Sequence, residues 1–220
     1  MPADHTSLSI VKLGGSLLSL PDVAERLVSF VDQHQVANPV VVVGGGDAAD
    51  LVRNWSQRFG LSDSAAHNLA LKAMALNGEL LSHLSDRFVL VNKPSDCGVL
   101  FPPQHIALLH TLPAVARLEA NLPKAQRLRK SWDVTSDSIA AWFALNWNAE
   151  QLYLLKSIDL PAELVHDRPG PGDSQQQRTS FADRLAQRGC VDLAFEEFAM
   201  KIPSVAWCNL RREVLELQVF

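Results

Sequence analysis

Short apolar runs that end in glycine-rich turns alternate with amphipathic segments along most of the chain. Ser9–Leu18 begins as a buried strand, breaks at two consecutive glycines and continues with an apolar helical pattern. Val40–Val43 contains four β-branched residues without polar alternation, which is typical of a strand buried on both faces of a parallel sheet. Between them, apolar spacing of the helical period predicts a helix from Pro21 to Val36. Strand, helix and strand in so short a space predict a right-handed crossover and an α/β fold.

The same alternation continues to the C-terminus. Helices are predicted from Ala48 onward and over Leu61–Leu84, Ile139–Trp147, Phe181–Arg188 and Asp192–Met200. Further strands are predicted at Phe88–Val91, Ile106–Leu109, Gln151–Leu155, Ser204–Cys208 and Val214–Phe220. The glutamine- and proline-rich segment Pro161–Ser180 is predicted to be a mobile loop or lid.

Two glycine turns lie at strand ends, where an open parallel sheet binds its ligands. The first strand contains Lys12 and ends in Gly14-Gly15-Ser16, so backbone N–H groups and a lysine charge come together. This combination suits phosphate, although a tight turn beside a surface lysine would leave the same pattern. The second strand ends in Gly44-Gly45-Gly46-Asp47. Two such turns at one edge could hold a donor and an acceptor.

Polar residues of the middle segment offer further candidates, each with a structural alternative. Lys124, Arg127, Arg129 and Lys130 form a basic cluster that could clamp an anionic substrate or could be a solvated helix face. The segment Trp132–Ser138 precedes a helix and contains more carboxylates and hydroxyls than one cap requires. Its carboxylates could orient a lysine or hold Mg²⁺, or the segment could be a capping box alone. His67 could face either the core or a cleft.

Composition narrows the classes of partner and compartment. The 220 residues are 47% hydrophobic and carry a net charge of -4, which favours a globular protein and disfavours nucleic acid or a membrane surface as the partner. The three cysteines, Cys97, Cys190 and Cys208, form no CxxC pair, so we expect neither disulfides nor a structural metal site. No signal peptide is apparent at the N-terminus, and we expect a cytoplasmic protein.

Three motifs resemble those of the amino acid kinase superfamily in order and spacing. They are VKLGGSLL (Val11–Leu18), VVVGGGD (Val41–Asp47) and WDVTSDSIAA (Trp132–Ala141). The third motif and the small size look most like the archaeal-type aminomethylfuran phosphate kinase branch of methanofuran biosynthesis. The resemblance implies a three-layer αβα sandwich around one mainly parallel sheet. It also implies a single domain, with an acceptor-side half over about residues 1–130, a nucleotide-side half over about 131–220, and assembly into homo-oligomers.

The resemblance also assigns roles to residues of this chain. Lys12 would contact the transferred phosphoryl group, and Asp137 would orient lysine or metal. The implied nucleotide-binding residues are Gly14, Gly15, Ser16, Lys156 and Asp159. The implied acceptor-binding residues are Gly44, Gly45, Gly46, Asp47, Asp133, Thr135, Arg127 and Arg129.

The function implied is an ATP- and Mg²⁺-dependent kinase that phosphorylates a small anionic acceptor with a carboxylate or phosphate oxyanion. Two features depart from the family: Asp159 is followed by Leu160-Pro161 and not by glycine, and no Gly-Met-x-x-Lys element occurs. These departures leave a catalytically impaired relative, acting as a ligand sensor or regulatory partner, as an alternative. A more distant alternative is a dinucleotide-dependent oxidoreductase, because Gly44-x-Gly46-x-x-Ala49 matches that fingerprint.

Overall fold

Seven strands form one sheet in the computed structural model, which describes residues 7–96, 104–170 and 173–220. The strands are β1 (Ser9–Leu13), β2 (Pro39–Val43), β3 (Phe88–Val91), β4 (Ile106–Leu109), β5 (Gln151–Lys156), β6 (Ser204–Asn209) and β7 (Gln218–Val219). Their order is β3-β4-β2-β1-β5-β6-β7, and every neighbouring pair is parallel except β6 with β7. β1 lies at the centre and pairs with both β2 and β5, so its carboxyl end is flanked by two others.

Helices cover both faces of this sheet. They are α1 (Val23–Gln33), α2 (Gly46–Phe59), α3 (Asp63–Ser82), α4 (Thr111–Ala120), α5 (Ser136–Asn146), α6 (Ala162–Val165), α7 (Gln175–Gln187) and α8 (Phe195–Ala199). Alternate strand residues enter two separate apolar clusters: Ile10 packs on the side of α5, and Val11 packs on the side of α1. This alternation confirms the predicted three-layer αβα sandwich with a mainly parallel sheet.

Several predicted boundaries are wrong. Pro161–Ser180 is not one loop: it contains α6 and the first turns of α7. Ser174 starts α7 with a capping box, in which its side chain accepts from the Gln177 N–H and the Gln177 side chain accepts from the Ser174 N–H. This reciprocal pairing makes the glutamine-rich stretch helical. The C-terminal strand shrinks to Gln218–Val219, because only two residue pairs join β7 to β6.

The predicted helix at Asp192–Met200 begins later, at Phe195. Residues 1–6 and Cys97, which entered the predictions of compartment and metal binding, lie outside the described residues. Within the described ranges, no helix combines the length and apolar character that crossing a membrane requires.

Candidate active site

One carboxylate and two lysine ammonium groups meet at the carboxyl ends of β1 and β5. Lys12 on β1 and Lys156, the last residue of β5, lie on the same face because their register differs by two residues. Asp137 lies in the first turn of α5, which crosses that face. Its Oδ1 atom is 2.8 Å from both ammonium nitrogens, and its Oδ2 atom accepts a hydrogen bond of 2.8 Å from Lys156. All three side chains are less than a tenth exposed.

Burial and charge pull the pKa values of this cluster in opposite directions. Burial raises the pKa of Asp137, but the charges of Lys12 and Lys156 outweigh it and bring the value to about 2. Burial lowers the pKa of Lys156 to about 8, with Lys12 adding repulsion and Asp137 resisting the shift. With both lysines protonated, the cluster carries one excess positive charge near the sheet edge.

Lys156 is held by two further groups. Its ammonium donates a hydrogen bond of 2.7 Å to the Cys190 carbonyl and lies 5.3 Å from the ring centroid of Trp207. The Trp207 indole N–H donates in turn to the Ile158 carbonyl, just beyond β5. A cation enclosed in this way has little freedom to turn away, so Lys156 is preorganised toward the site.

The two glycine turns contact each other through their backbones. A Cβ atom added to Gly15 would lie 2.1 Å from the Gly46 nitrogen, and one added to Gly44 would lie 2.6 Å from the Gly15 nitrogen. Gly46 also has a φ of +47°, which favours glycine. Glycine is therefore needed after both strands, because side chains here would separate the turns. The need arises from a contact between the two turns, which the sequence does not show.

Two backbone N–H groups of the glycine turns are engaged within the sheet. The Gly14 N–H donates to the Leu155 carbonyl at 2.9 Å, so the sheet already occupies it. The Gly44 N–H likewise donates to the Leu13 carbonyl at 2.8 Å. Asn77 of α3 holds the second turn, with its amide donating to the Gly44 and Gly45 carbonyls at 2.7 and 2.8 Å.

Asp192 positions the start of α5. Its Oδ2 atom accepts hydrogen bonds from the Thr135 N–H at 3.0 Å, the Thr135 hydroxyl at 2.7 Å and the Ser138 N–H at 3.0 Å. Its Oδ1 atom accepts from the Ser138 hydroxyl. Burial and the nearby Asp137 raise the pKa of Asp192. Thr135 therefore gives its hydroxyl to Asp192 and does not cap the helix with its own side chain.

A cavity of about 250 Å³ opens beside the glycine turns, between α2, α3 and the segment that precedes α5. Its wall combines turn residues, charged or polar side chains and an apolar surface. The lining includes Gly15, Ser16, Gly45, Gly46, Asp47, Asp50, Arg53, His67, Leu71, Met74, Trp132, Thr135 and Ile139. Among the predicted acceptor-binding residues, Gly45, Gly46, Asp47 and Thr135 lie in this lining.

The other acceptor candidates lie elsewhere. Arg129 pairs with Glu197 of α8, and Arg127 donates to the Leu122 carbonyl at 3.0 Å. Asp133 accepts from the Ser131 hydroxyl at 3.0 Å. None of these three residues lines the cavity, and neither does Gly44. Arg53, which the sequence analysis did not single out, lies there instead.

Two predicted nucleotide-binding residues, Ser16 and Asp159, make contacts near the carboxyl end of β5, and Ser16 also lines the cavity. The Ser16 and Ser157 hydroxyls are 2.9 Å apart, which joins the first glycine turn to the end of β5. Asp159 accepts from Asn209 at 2.8 Å and pairs with Arg212. The Arg212 and Asn209 hydrogen bonds lower the pKa of Asp159 to about 2.

The carboxylates do not form a cage for Mg²⁺. Both oxygens of Asp137 contact lysine ammonium groups, and the described part of the chain contains no cluster of three or more possible metal ligands. The described residues therefore suit a Mg²⁺ ion that is coordinated by the phosphates of a nucleotide better than a Mg²⁺ ion that is coordinated by the protein.

The amino acid kinase family model matches residues 7–160, which is more than half of the chain. The chain belongs to the amino acid kinase family and is a phosphotransferase of the kinase class. The oxidoreductase alternative is thereby not supported, and the Gly44 turn leads into α2 and α3 without the strand that a dinucleotide site needs.

The similar proteins found are small-molecule kinases. The chain is 26% identical over 153 residues to (5-(aminomethyl)furan-3-yl)methyl phosphate kinase of Methanocaldococcus jannaschii, covering 69% of this chain and 67% of that protein. Uridylate kinase from Archaeoglobus fulgidus superposes with a TM-score of 0.60 at 19% identity, covering 90% of this chain and 88% of that one. UMP kinase from Ureaplasma parvum gives a TM-score of 0.61 at 12% identity, covering 98% of both chains. At these identities the solved structures show a shared fold.

Proposed function

We propose that this protein transfers the γ-phosphoryl group of Mg·ATP to a carboxylate or phosphate oxygen of a small acceptor molecule. The observation that carries the proposal is the buried cluster of Lys12, Asp137 and Lys156 beside two glycine turns. In-line phosphoryl transfer needs positioning and charge neutralisation more than covalent help from the protein. A net positive cluster that is held rigidly at a sheet edge supplies both.

The proposed step forms one bond and breaks another. The acceptor oxygen forms a bond to the γ-phosphorus, the bond from that phosphorus to the β–γ bridging oxygen breaks, and ADP leaves with the electron pair. Lys12 and Lys156 neutralise charge on the transferring group, and Asp137 keeps their ammonium groups aligned. An acceptor that is already an oxyanion has no proton to lose, so the reaction requires no general base.

The two substrates are assigned to the two glycine turns, which meet at the carboxyl end of β1. The cavity between α2 and α3 is proposed to hold the acceptor, with the Gly45–Gly46 backbone beside its oxyanion. The first glycine turn, with Ser16 and Ser157, is proposed to face the nucleotide phosphates. Gly15 and Gly46 then bring donor and acceptor together, because the two turns are in backbone contact.

Release of ADP from Mg·ATP tests the proposal across a panel of acceptors. The panel contains the aminomethylfuran phosphate named in the relative, UMP, carbamate and acetylglutamate. We expect turnover with at least one of them and a loss of about 10²- to 10³-fold in Lys12→Ala, the cost of removing one preorganised charge contact. Lys72→Ala, which removes an exposed lysine of α3, is the matched control.

Absence of turnover across the panel would contradict the proposal. Calorimetric titration with Mg·ATP then distinguishes the alternatives. Binding without turnover would indicate a sensor or regulatory relative. Absence of binding would indicate that the sequence departures after Ile158 have removed the nucleotide site.

A further inference from the structure

We infer that Arg211, in the segment between β6 and β7, binds the phosphates of the donor nucleotide at the first glycine turn. The inference rests on the proposed function and adds to it a residue that contacts the donor. It follows from the charge of Arg211, from the contacts that fix its position and from the space beside it.

The Arg211 side chain reaches the first glycine turn across the end of β5. Because β5 lies between β1 and β6 in the sheet, a side chain that follows β6 must pass the end of β5 to contact Ser16. The Nη2 atom of Arg211 donates to the Ser19 hydroxyl at 3.1 Å and to the Ser16 carbonyl at 3.4 Å. The guanidinium therefore lies beside the turn that is proposed to face the nucleotide phosphates.

The positive charge of Arg211 has no carboxylate partner among the described residues. Arg212, the next residue, forms an ion pair with Asp159, but no aspartate or glutamate of residues 7–96, 104–170 and 173–220 forms one with Arg211. Both side-chain acceptors of Arg211 are neutral oxygens, and both are bound by the same nitrogen. The remaining N–H donors of the guanidinium therefore suit a phosphate, which supplies the missing negative charge.

The backbone around Arg211 is held on both sides. The Arg211 N–H donates to the Asn209 side-chain oxygen at 2.9 Å. Arg26 of α1 donates to the carbonyls of Leu210 and Arg212, both at 3.2 Å. Because these contacts already fix the chain, the binding of a phosphate by Arg211 requires less ordering of the segment.

Space for the rest of a nucleotide adjoins Arg211. An open cavity of about 650 Å³ follows the ends of β5 and β6, and its wall includes Arg211 and Arg212. This volume is within the usual range for ligand sites and exceeds that of the cavity proposed for the acceptor. Glu213 and Glu216 also line it, and their charges repel phosphate. The cavity therefore suits the uncharged nucleoside, with the phosphates extending past Arg211 toward Ser16.

Calorimetric titration with Mg·ATP tests the inference on Arg211→Gln and Arg211→Lys. Glutamine keeps an N–H donor but removes the charge, so we expect Mg·ATP binding to weaken by about 10- to 100-fold, the usual effect of losing a hydrogen bond to a charged group. Lysine keeps the charge without the planar fork and should recover part of that loss. Arg117→Gln, at an exposed position on α4, is the matched control and should bind Mg·ATP as the wild-type protein does.

A further variant separates phosphate binding from support of the turn. Ser19→Ala removes the hydroxyl that Arg211 contacts and leaves the guanidinium charge in place. We expect this variant to bind Mg·ATP nearly as tightly as the wild-type protein. A loss as large as that of Arg211→Gln would overturn the inference, because Arg211 would then act by holding the turn.

The ADP-release assay gives a second readout. The KM for ATP should rise in Arg211→Gln and the KM for the acceptor should not, because Arg211 lies outside the lining of the acceptor cavity. Unchanged Mg·ATP affinity in Arg211→Gln would overturn the inference and leave the kinase proposal intact. If the wild-type protein itself binds no Mg·ATP, the kinase proposal fails, and the inference fails with it.

Discussion

Lys156 and Asp137 meet at the first turn of α5, where the lysine ammonium donates to Oδ2 across 2.8 Å. The contact joins the end of a central strand to the start of a helix, and both groups are buried. Because the carboxylate also contacts Lys12, the proton on Lys156 affects the charge of the whole cluster.

Activity should fall on the alkaline side as Lys156 loses its proton. Burial brings the pKa of Lys156 down to about 8, so its positive charge is present below that pH and disappears above it. We expect kcat to decline with a single-proton limb near pH 8, because the transferring phosphoryl group loses one neutralising charge. Residual activity in Lys156→Arg should lack that limb, since guanidinium stays protonated. A flat wild-type profile from pH 7 to pH 9.5 would contradict the role of Lys156.

Stability should fall on the acid side through Asp137. Its pKa is about 2 in the folded protein against an ordinary value of 3.8, so its contribution is fully present above that value and is lost as pH falls toward 2. The difference corresponds to about 2 kcal/mol of unfolding free energy. Urea unfolding at several pH values between 5 and 2 measures it. The slope should be smaller in Asp137→Asn, and parallel slopes in the two proteins would contradict the prediction.

Asp192→Ala should destabilise the protein and also impair catalysis. The substitution leaves the Thr135 and Ser138 donors at the start of α5 without their acceptor, which costs about 1–3 kcal/mol of unfolding free energy. Because α5 carries Asp137, we expect kcat to fall under conditions where the variant is fully folded. Asp86→Asn, at an exposed position, is the control. Normal kcat in folded Asp192→Ala would limit Asp192 to stability.

Two glycine-to-alanine variants should have opposite effects. In Gly15→Ala the new Cβ would lie 2.1 Å from the Gly46 nitrogen, so the turns must separate and both stability and turnover should fall. In Gly78→Ala the nearest atom is 3.8 Å away, and replacing a helical glycine should raise the unfolding free energy by about 0.5–1 kcal/mol. Thermal unfolding and ADP release of both variants check this. Equal stability of the two variants would show that the turns do not need to touch.

The sequence predicted the strands of the sheet well because their signals are local. The four valines of β2 and the short apolar runs at β3 and β4 are read directly from composition and length. Composition predicts a loop for the glutamine-rich stretch, whereas the structure has a helix there that depends on a capping pair, Ser174 with Gln177, within a polar segment. Polar composition alone does not distinguish a loop from an exposed helix.

Part of the site was also predictable. Lys12, the glycine turns and Asp137 stand in motifs at strand and helix ends, and the structure brings Lys12 and Asp137 into contact. Arg127 and Arg129 stand in an equally dense cluster, yet Arg129 pairs with Glu197 of α8. A high density of charged residues in the sequence does not show which partner each long side chain contacts.

The sheet and the glycine turns could be predicted from the sequence, because strand length, β-branching and the absence of a Cβ act within a few residues. Long-range contacts in the folded protein are needed to show that Asp192 caps α5, that Asn77 holds the second turn and that Asp47, His67 and Trp132 line one cavity with Arg53. These residues lie on separate elements, and folding alone brings them together. The burial that shifts the pKa values of Asp137 and Lys156 exists only after the helices have packed on the sheet.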